Sequence, residues 1–385
     1  MPSPFRRSIK NLAFSGIVVL LFFAVVEGSL RLAGLQPKFV YRSFDLPLWM
    51  QDVDPVILDD FKKQLSRRGG VSEDLHAYRF DPDLEWILKP EISVSVKNYS
   101  SAVFVDKMPK WNIVSNQDGF RVGRKQQFPA GFSHTLNILG DSSSFGWGVE
   151  FDETYGAVLK ELLNGDRKNQ YALANYSIPG FTSFQGRLLI HRLAAIRPGD
   201  LVVVSFGGND ASAAGSSDRR RFAERHSLLG KIREAMNRTR TYRFLESLLI
   251  PERTKKTGVA KNTRVSLEDY AVNLREIFRE VRRKQASPVF VSVCNGAMYA
   301  QAAKAVAESL DVPFFDFPER MSPYLEKVAA AQIQPAKYRA YVESYGPLMK
   351  KDPWLRVIFP DHCHPNAIGH RLMGEIVYRG IGGSS

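Results

Sequence analysis

The chain has 385 residues, with 44% hydrophobic and 24% charged side chains, the balance of a globular protein with a sizeable core. Its 53 Lys and Arg against 40 Asp and Glu give a net charge of +13, which suits nucleic acid, a membrane surface or an anionic substrate, and equally a plain solvated basic face. Two cysteines, Cys294 and Cys363, exclude a disulfide-rich framework and a Cys-type zinc site and leave room for one disulfide at most.

In chain order, "MPSPFRRSIK" carries Arg6, Arg7 and Lys10 and no acid, and "NLAFSGIVVLLFFAVV" then runs apolar as far as Glu27. Basic residues before an apolar run read as a signal anchor or a signal peptide. The run from Leu12 to Val26 is short for a span, but Lys10 and Arg31 can snorkel from its two ends. No A-x-A-like cleavage site follows, so residues 1–34 fit an uncleaved single-pass anchor better than a removed signal. The basic cluster precedes the span. The expected topology therefore keeps the N-terminus in the cytoplasm, crosses the inner membrane, and exports the rest to the periplasm or cell exterior.

Residues 35–132 show no regular helix–strand alternation. "PEISVSVKNYSSAVFVDKM" alternates with period two, as a strand pair does, and Gly and Pro punctuate the remainder. A small β-rich lead-in is expected here.

From 133 the texture changes. "LNILGD", "YALANYSI", "GDLVVVSF", "PVFVSVC" and "VPFFDF" are short apolar runs suited to buried strands. Between and after them, "DETYGAVLKELL", "SFQGRLLIHRLAAI", "LEDYAVNLREIFREVRRK", "AMYAQAAKAVAESL" and "PNAIGHRLMGEIVYRG" have helical spacing, with Pro365 expected at the first position of the last helix. Such alternation predicts an α/β domain over 133–385, with a central parallel sheet between helices. A basic helical insertion, about 211–263, interrupts it after the third strand. Its arginines around Arg219, Arg220 and Arg221 would attract an anionic glycan or lipid headgroup, or would form a solvated face.

Ligands of an open parallel sheet sit at the carboxyl ends of its strands. After the first strand comes Gly140-Asp141-Ser142, after the second "NYSIPGFTS" with Gly180, after the third "GGND", and before the last helix "DHCHPN". A serine hydroxyl attacks only when a base takes its proton, and a histidine base needs a partner that fixes its tautomer. Asp361 and His364, three residues apart at the mouth of a helix, can provide base and orienter from one turn. Ser142, first after Gly-Asp, is the candidate nucleophile. Its neighbours Ser143 and Ser144 fit turn or capping roles. The N–H groups of Ser142 and Gly180 and the amide of Asn209 are candidate oxyanion donors. Asp141, Asn175 and Gly208 are expected to support the loops, and Asp210 to cap the segment after it. Trp147 and Gly148 suit either an acyl pocket or the core.

These four blocks, in this order, resemble the SGNH/GDSL hydrolase family, named for its Ser, Gly, Asn and His. "GDSSSFGWG", "PGFTSFQ", "GGND" and "DHCHPNAIGH" look like its successive blocks, and the likeness covers about 133–380. It implies a flavodoxin-like three-layer α/β/α sandwich. "SNQDGFRVGR" and the N-terminal anchor look, more loosely, like membrane-anchored bacterial members.

The expected function is a serine esterase that removes O-acyl, foremost O-acetyl, groups from an envelope or extracellular polysaccharide. An acyltransferase with the same triad, or a non-catalytic glycan-binding or assembly protein of the same fold, are the alternatives. No Walker loop or Rossmann fingerprint stands in strand–helix context, so no cofactor is implied. "HCH" at His362 to His364 has no distant partner motif, so no metal is expected. Few aromatics accompany the basic insertion, so nucleic acid is not the expected partner. Cys294 and Cys363 are expected near one sheet edge, as two separately buried thiols rather than a bridge.

Overall fold

A computed structural model of the chain describes residues 4–35, 77–96, 110–123, 132–165, 170–237, 239–249, 262–325, 339–359 and 361–382. It divides into two compact units. One joins residues 1–43 to 220–259; the other holds 44–219 and 260–385.

Helix α1 is Pro4–Leu32. Strands β1 (Tyr78–Asp81) and β2 (Glu85–Leu88) form an antiparallel hairpin, followed by β3 (Ser93–Val96), β4 (Trp111–Ser115) and β5 (Arg121–Val122). The α/β part runs β6 (His134–Gly140), α2 (Ser142–Phe145), α3 (Tyr155–Gly165), β7 (Tyr171–Asn175), α4 (Ser183–Arg192) and β8 (Leu201–Ser205). Next come β9 (Ala213–Ala214), α5 (Asp218–His226), α6 (Leu228–Asn237), α7 (Arg240–Leu249) and β10 (Asn262–Thr263). The chain closes with α8 (Leu267–Arg283), β11 (Ser287–Ser292), α9 (Ala297–Ser309), β12 (Phe314–Asp316), α10 (Phe317–Met321), α11 (Arg339–Lys351) and α12 (Ala367–Gly382).

The main sheet has eight strands in the order β12-β11-β8-β6-β7-β5-β4-β3. From β12 to β7 all pairs are parallel. Taken along the chain, β6, β7, β8, β11 and β12 are therefore ordered 2-1-3-4-5, the parallel sheet that the alternation predicts, in the flavodoxin-like winding that the family resemblance implies. Val202, Val203 and Val204 of β8 are fully buried, as a strand covered on both faces requires.

The lead-in is continuous with this sheet. β5 pairs antiparallel with β7 through Arg121 and Asn175, and β4 and β3 extend the edge. Within the alternating run 90–108, Ser93–Val96 is a strand whose partner is Trp111–Ser115; the rest of the expected strand pair, 97–108, lies outside the described residues.

The winding positions the site. Register pairs Gly140 with Ser205, so the loops leaving β6 and β8 emerge side by side at the topological switch point. A side chain at Gly140 would meet the Ser205 carbonyl at 2.7 Å, which is why the strand ends on glycine. α12 starts later than the sequence suggests. Pro365 lies in a bridge to Ile358, and Asn366 caps the helix by accepting from the Ile368 and Gly369 N–H groups.

α12 packs against α3, and His370 is fully buried between them. Its Nδ1 accepts from the Tyr155 N–H at the start of α3. Burial, then the nearby Arg121 and His364, lower its pKa from 6.5 to about 3. Between those values the unfolded chain holds a proton that the folded chain lacks, so this contribution to stability falls as pH falls. Denaturant melts of wild type and His370→Asn from pH 7 to 4 should diverge in slope, wild type losing roughly 1.4 kcal/mol more per pH unit below 6. Parallel slopes would refute the neutral, buried imidazole.

Candidate active site

β6 ends in Gly140, and Asp141 takes the N-cap of the short helix α2. Its Oδ1 accepts from the Ser143 N–H at 2.9 Å, and burial raises its pKa. Ser142 is therefore the first helical residue, presented at the strand-to-helix turn. Gly146, in the left-handed region at φ 81°, stops the helix after one turn.

The opposite end of the chain supplies the partner. His364 Nε2 lies 2.7 Å from Ser142 Oγ, and His364 Nδ1 lies 2.9 Å from Asp361 Oδ2. The other carboxylate oxygen, Oδ1, accepts from the N–H groups of Cys363 and His364, both at 2.9 Å. One buried carboxylate thus shapes the turn and orients the ring. With the Nδ1 proton held toward Asp361, Nε2 is left to accept from the Ser142 hydroxyl. That arrangement can take a proton from an attacking serine.

The other predicted residues gather round this trio. Gly180 sits at φ 82°, and a Cβ there would lie 2.9 Å from the Trp86 ring. Its loop is pinned by two donors: Trp86 Nε1 reaches the Pro179 carbonyl at 2.8 Å, and Arg264 reaches the Gly180 carbonyl at 2.7 Å. Asn209 Nδ2 donates to the Phe181 carbonyl at 3.0 Å and to Asp141 Oδ2 at 3.4 Å, tying three blocks together. Asn175 links the end of β7 to α2, donating to the Ser144 carbonyl and accepting from the Ser177 N–H. Gly208 lies against the Cys294 carbonyl, 2.8 Å from where a Cβ would stand.

Ser144 Oγ accepts from the Tyr155 hydroxyl at 2.9 Å, and Ser143 bonds Asp141, so both serve the loop. Trp147 is buried edge-on against Trp111 at 5.1 Å and belongs to the core. Asp210 departs from expectation. It caps α4, accepting from the Ser183 N–H and hydroxyl, and burial raises its pKa to about 7. The "HCH" run is drawn apart: His362 pairs with Asp352 at 3.3 Å. Among the described residues no group of three His, Cys, Asp or Glu is placed to hold a metal ion.

The cysteines correct the sequence reading. Cys294, just past β11, and Cys363, beside His364, form a disulfide with their Cα atoms 4.9 Å apart. Neither the count nor the spacing of the cysteines demands a bridge, so the sequence alone points to separate thiols. The meeting of the β11 end with the Asp361–His364 turn is a tertiary fact.

Arg121 was not foreseen as part of the site. It is fully buried and donates to the carbonyls of Phe145, Gly146 and Val149 at 2.5, 2.7 and 2.6 Å, and to that of Asn112 at 3.1 Å. Its guanidinium stacks on Phe145 and Trp111. Burial lowers its pKa to about 10, so it stays charged at neutral pH. The only sequence signal was an arginine set between Phe120 and Val122 in a short apolar strand.

The GDSL-like lipase/acylhydrolase family profile matches residues 138–372, more than half of the chain. Among solved structures, the chain is similar to TesA, at 18% identity over 64% of this chain and 97% of that one, with a TM-score of 0.36. It is similar to the esterase EstA from Pseudoalteromonas sp., at 14% identity over 65% and 97%, with a TM-score of 0.35. It is also similar to the acetylxylan esterase Axe2 from Geobacillus stearothermophilus, at 16% identity over 66% and 95%, with a TM-score of 0.37. No curated protein matches the chain.

Because the bridge closes a loop of 69 residues, its removal should lower stability by up to about 4 kcal/mol. Thiol titration of the denatured, unreduced protein should find no free thiol. Two reactive thiols there, or a Cys294→Ser melt unchanged from wild type, would show that the bridge does not form.

Proposed function

The chain belongs to the GDSL-like lipase/acylhydrolase family and is a serine ester hydrolase, and from that premise we propose that Ser142 is the nucleophile, His364 its base and Asp361 the orienter. The observation that carries this reading is the unbroken chain Asp361–His364–Ser142, at 2.9 and 2.7 Å. Ser142 Oγ attacks the ester carbonyl as its proton passes to His364 Nε2. The imidazolium returns that proton to the leaving alcohol, which departs and leaves an acyl-serine. Water, deprotonated in turn by His364, releases the acid and restores the serine.

The oxyanion donors in this reading are the N–H groups of Ser142 and Gly180 and the Asn209 amide. Both carbonyls flanking the Gly180 N–H are already engaged, which fixes the peptide's direction. The 3.4 Å contact of Asn209 with Asp141 is long and is the one that a developing oxyanion would replace.

The substrate proposed is an O-acetylated envelope or extracellular polysaccharide. One apolar N-terminal helix, suited to a membrane span or a signal sequence, supports a place outside the cytoplasm. In this reading α1 stays in the inner membrane with its N-terminus in the cytoplasm, and the site faces the periplasm.

Ser142→Ala and His364→Ala should each abolish nearly all turnover of acetylated glycan, and Asp361→Ala should do less harm, because the first two act as one unit. Wild-type rates in Ser142→Ala would sink the mechanism. Acetyl appearing on a second glycan instead of as free acetate would assign transfer to the same triad.

Asn209→Ala should lower kcat by about 10²- to 10³-fold with KM little changed. A change confined to KM would make Asn209 a ground-state binding group.

A further inference from the structure

We propose that helix α6 lies flat on the anionic bilayer surface from which α1 emerges, so that the insertion is a second, peripheral membrane attachment. This rests on the reading of α1 as a membrane span.

The unit formed by residues 1–43 and 220–259 joins the two elements directly. Glu27, at the end of the apolar run, accepts through Oε2 from the N–H and the hydroxyl of Thr241, both at 2.9 Å, and so caps the first turn of α7. In return, Arg240 donates to the carbonyls of Leu30 and Arg31, at 3.0 and 3.4 Å, at the last turn of α1. A cation on a helix C-terminus and a carboxylate on a helix N-terminus are both favourable placements. The two helix ends cap each other, and the start of α7 is fixed at the level where α1 ends. α6 finishes at Asn237, only two residues before α7, so it departs from that same level.

The exposed side chains of α6 suit that position. Leu228 and Leu229 are 77% and 78% exposed, and Ile232 and Met236 are 50% and 46% exposed. Their helical spacing puts all four within an arc of roughly 100°. Lys231 flanks the arc and is exposed, where its stem can lie along the apolar row while its ammonium reaches a headgroup. Residues 218–249 carry nine Lys and Arg against four Asp and Glu, a local excess of positive charge that complements anionic headgroups. An apolar row flanked by a lysine within a basic segment, tethered to the end of a membrane-spanning helix, needs an occupant that is apolar at depth and anionic at its surface. A bilayer with anionic lipid is both, and the span keeps it in reach.

The test uses the full chain, in which both native cysteines are bonded and an introduced cysteine is the one free thiol. Ile232→Cys, labelled with an environment-sensitive fluorophore, is reconstituted into vesicles of phosphatidylcholine with or without phosphatidylglycerol, containing spin-labelled quencher lipids. Glu308→Cys, on an exposed position of α9, is the control. The expected result is loss of emission at 232 in phosphatidylglycerol vesicles, weaker loss in phosphatidylcholine or at high salt, and none at 308. Emission at 232 unquenched in a chain that resists carbonate extraction would overturn docking and leave the anchor standing. Quenching at 232 in a chain that carbonate removes would support docking and overturn the anchor. Equal quenching in both lipids would overturn the anionic surface. A shift that follows protein concentration in detergent, with no lipid quenching, would put a second copy on the face and overturn the proposal.

Discussion

A fully buried guanidinium cannot be left without acceptors, and Arg121 finds its acceptors on two parts of the chain at once. Three of its four carbonyls, those of Phe145, Gly146 and Val149, belong to the end of the Ser142 helix and the turn after it. The fourth, Asn112, belongs to β4. The carbonyls at the end of α2 have no helical successor to bond, and the arginine satisfies them while opposing the negative end of the helix. Neither half is complete alone. The lead-in would bury an unpaired cation, and the serine loop would bury unpaired acceptors. This is the physical reason that β3, β4 and β5 continue the sheet instead of forming a separate module.

The second constraint acts from the other side of Ser142. Asp361 commits one oxygen to the Cys363 and His364 N–H groups and the other to the imidazole, so the turn and the ring cannot move independently. The disulfide ties the same turn to the end of β11, which neighbours β8 and hence the loop of Asn209. The serine is held by its helix and the histidine by its turn. Their 2.7 Å separation is fixed by two rigid supports.

Much of this was legible in the sequence because it is local or topological. Strand–helix alternation implies a parallel sheet, and a parallel sheet gathers the carboxyl ends of its strands on one edge. The residues just past the first three strands of that sheet therefore point to Ser142, Gly180 and Asn209, and those before the last helix to the Asp361–His364 turn. The features that escaped depend on contacts between segments distant in sequence. Arg121, between Phe120 and Val122, does not reveal its role until its carbonyl partners are seen. Cys294 and Cys363 read as inert thiols until the loops meet. Asp210, placed after a strand, reads as a cap for the next segment, but it caps α4, the helix before its own strand. α11 carries Gly346-Pro347 inside it, a pair that marks a turn more often than a helix.

The insertion enters and leaves the α/β part through a neck that is tied to the site. Asp218 and Arg264 stand at its two ends and form an ion pair at 2.9 Å, with side chains only 3% and 8% exposed. Exposed pairs in the same region, such as Arg220 with Glu224, are worth little in water. The buried pair is different, because losing either partner strands a charge away from solvent. Both partners also reach the loop of Gly180: Arg264 holds the Gly180 carbonyl, and Asp218 accepts from the Thr182 hydroxyl at 2.7 Å. The short β9–β10 pairing closes the neck beside them. The Gly180 turn is therefore braced by the junction through which the insertion enters and leaves.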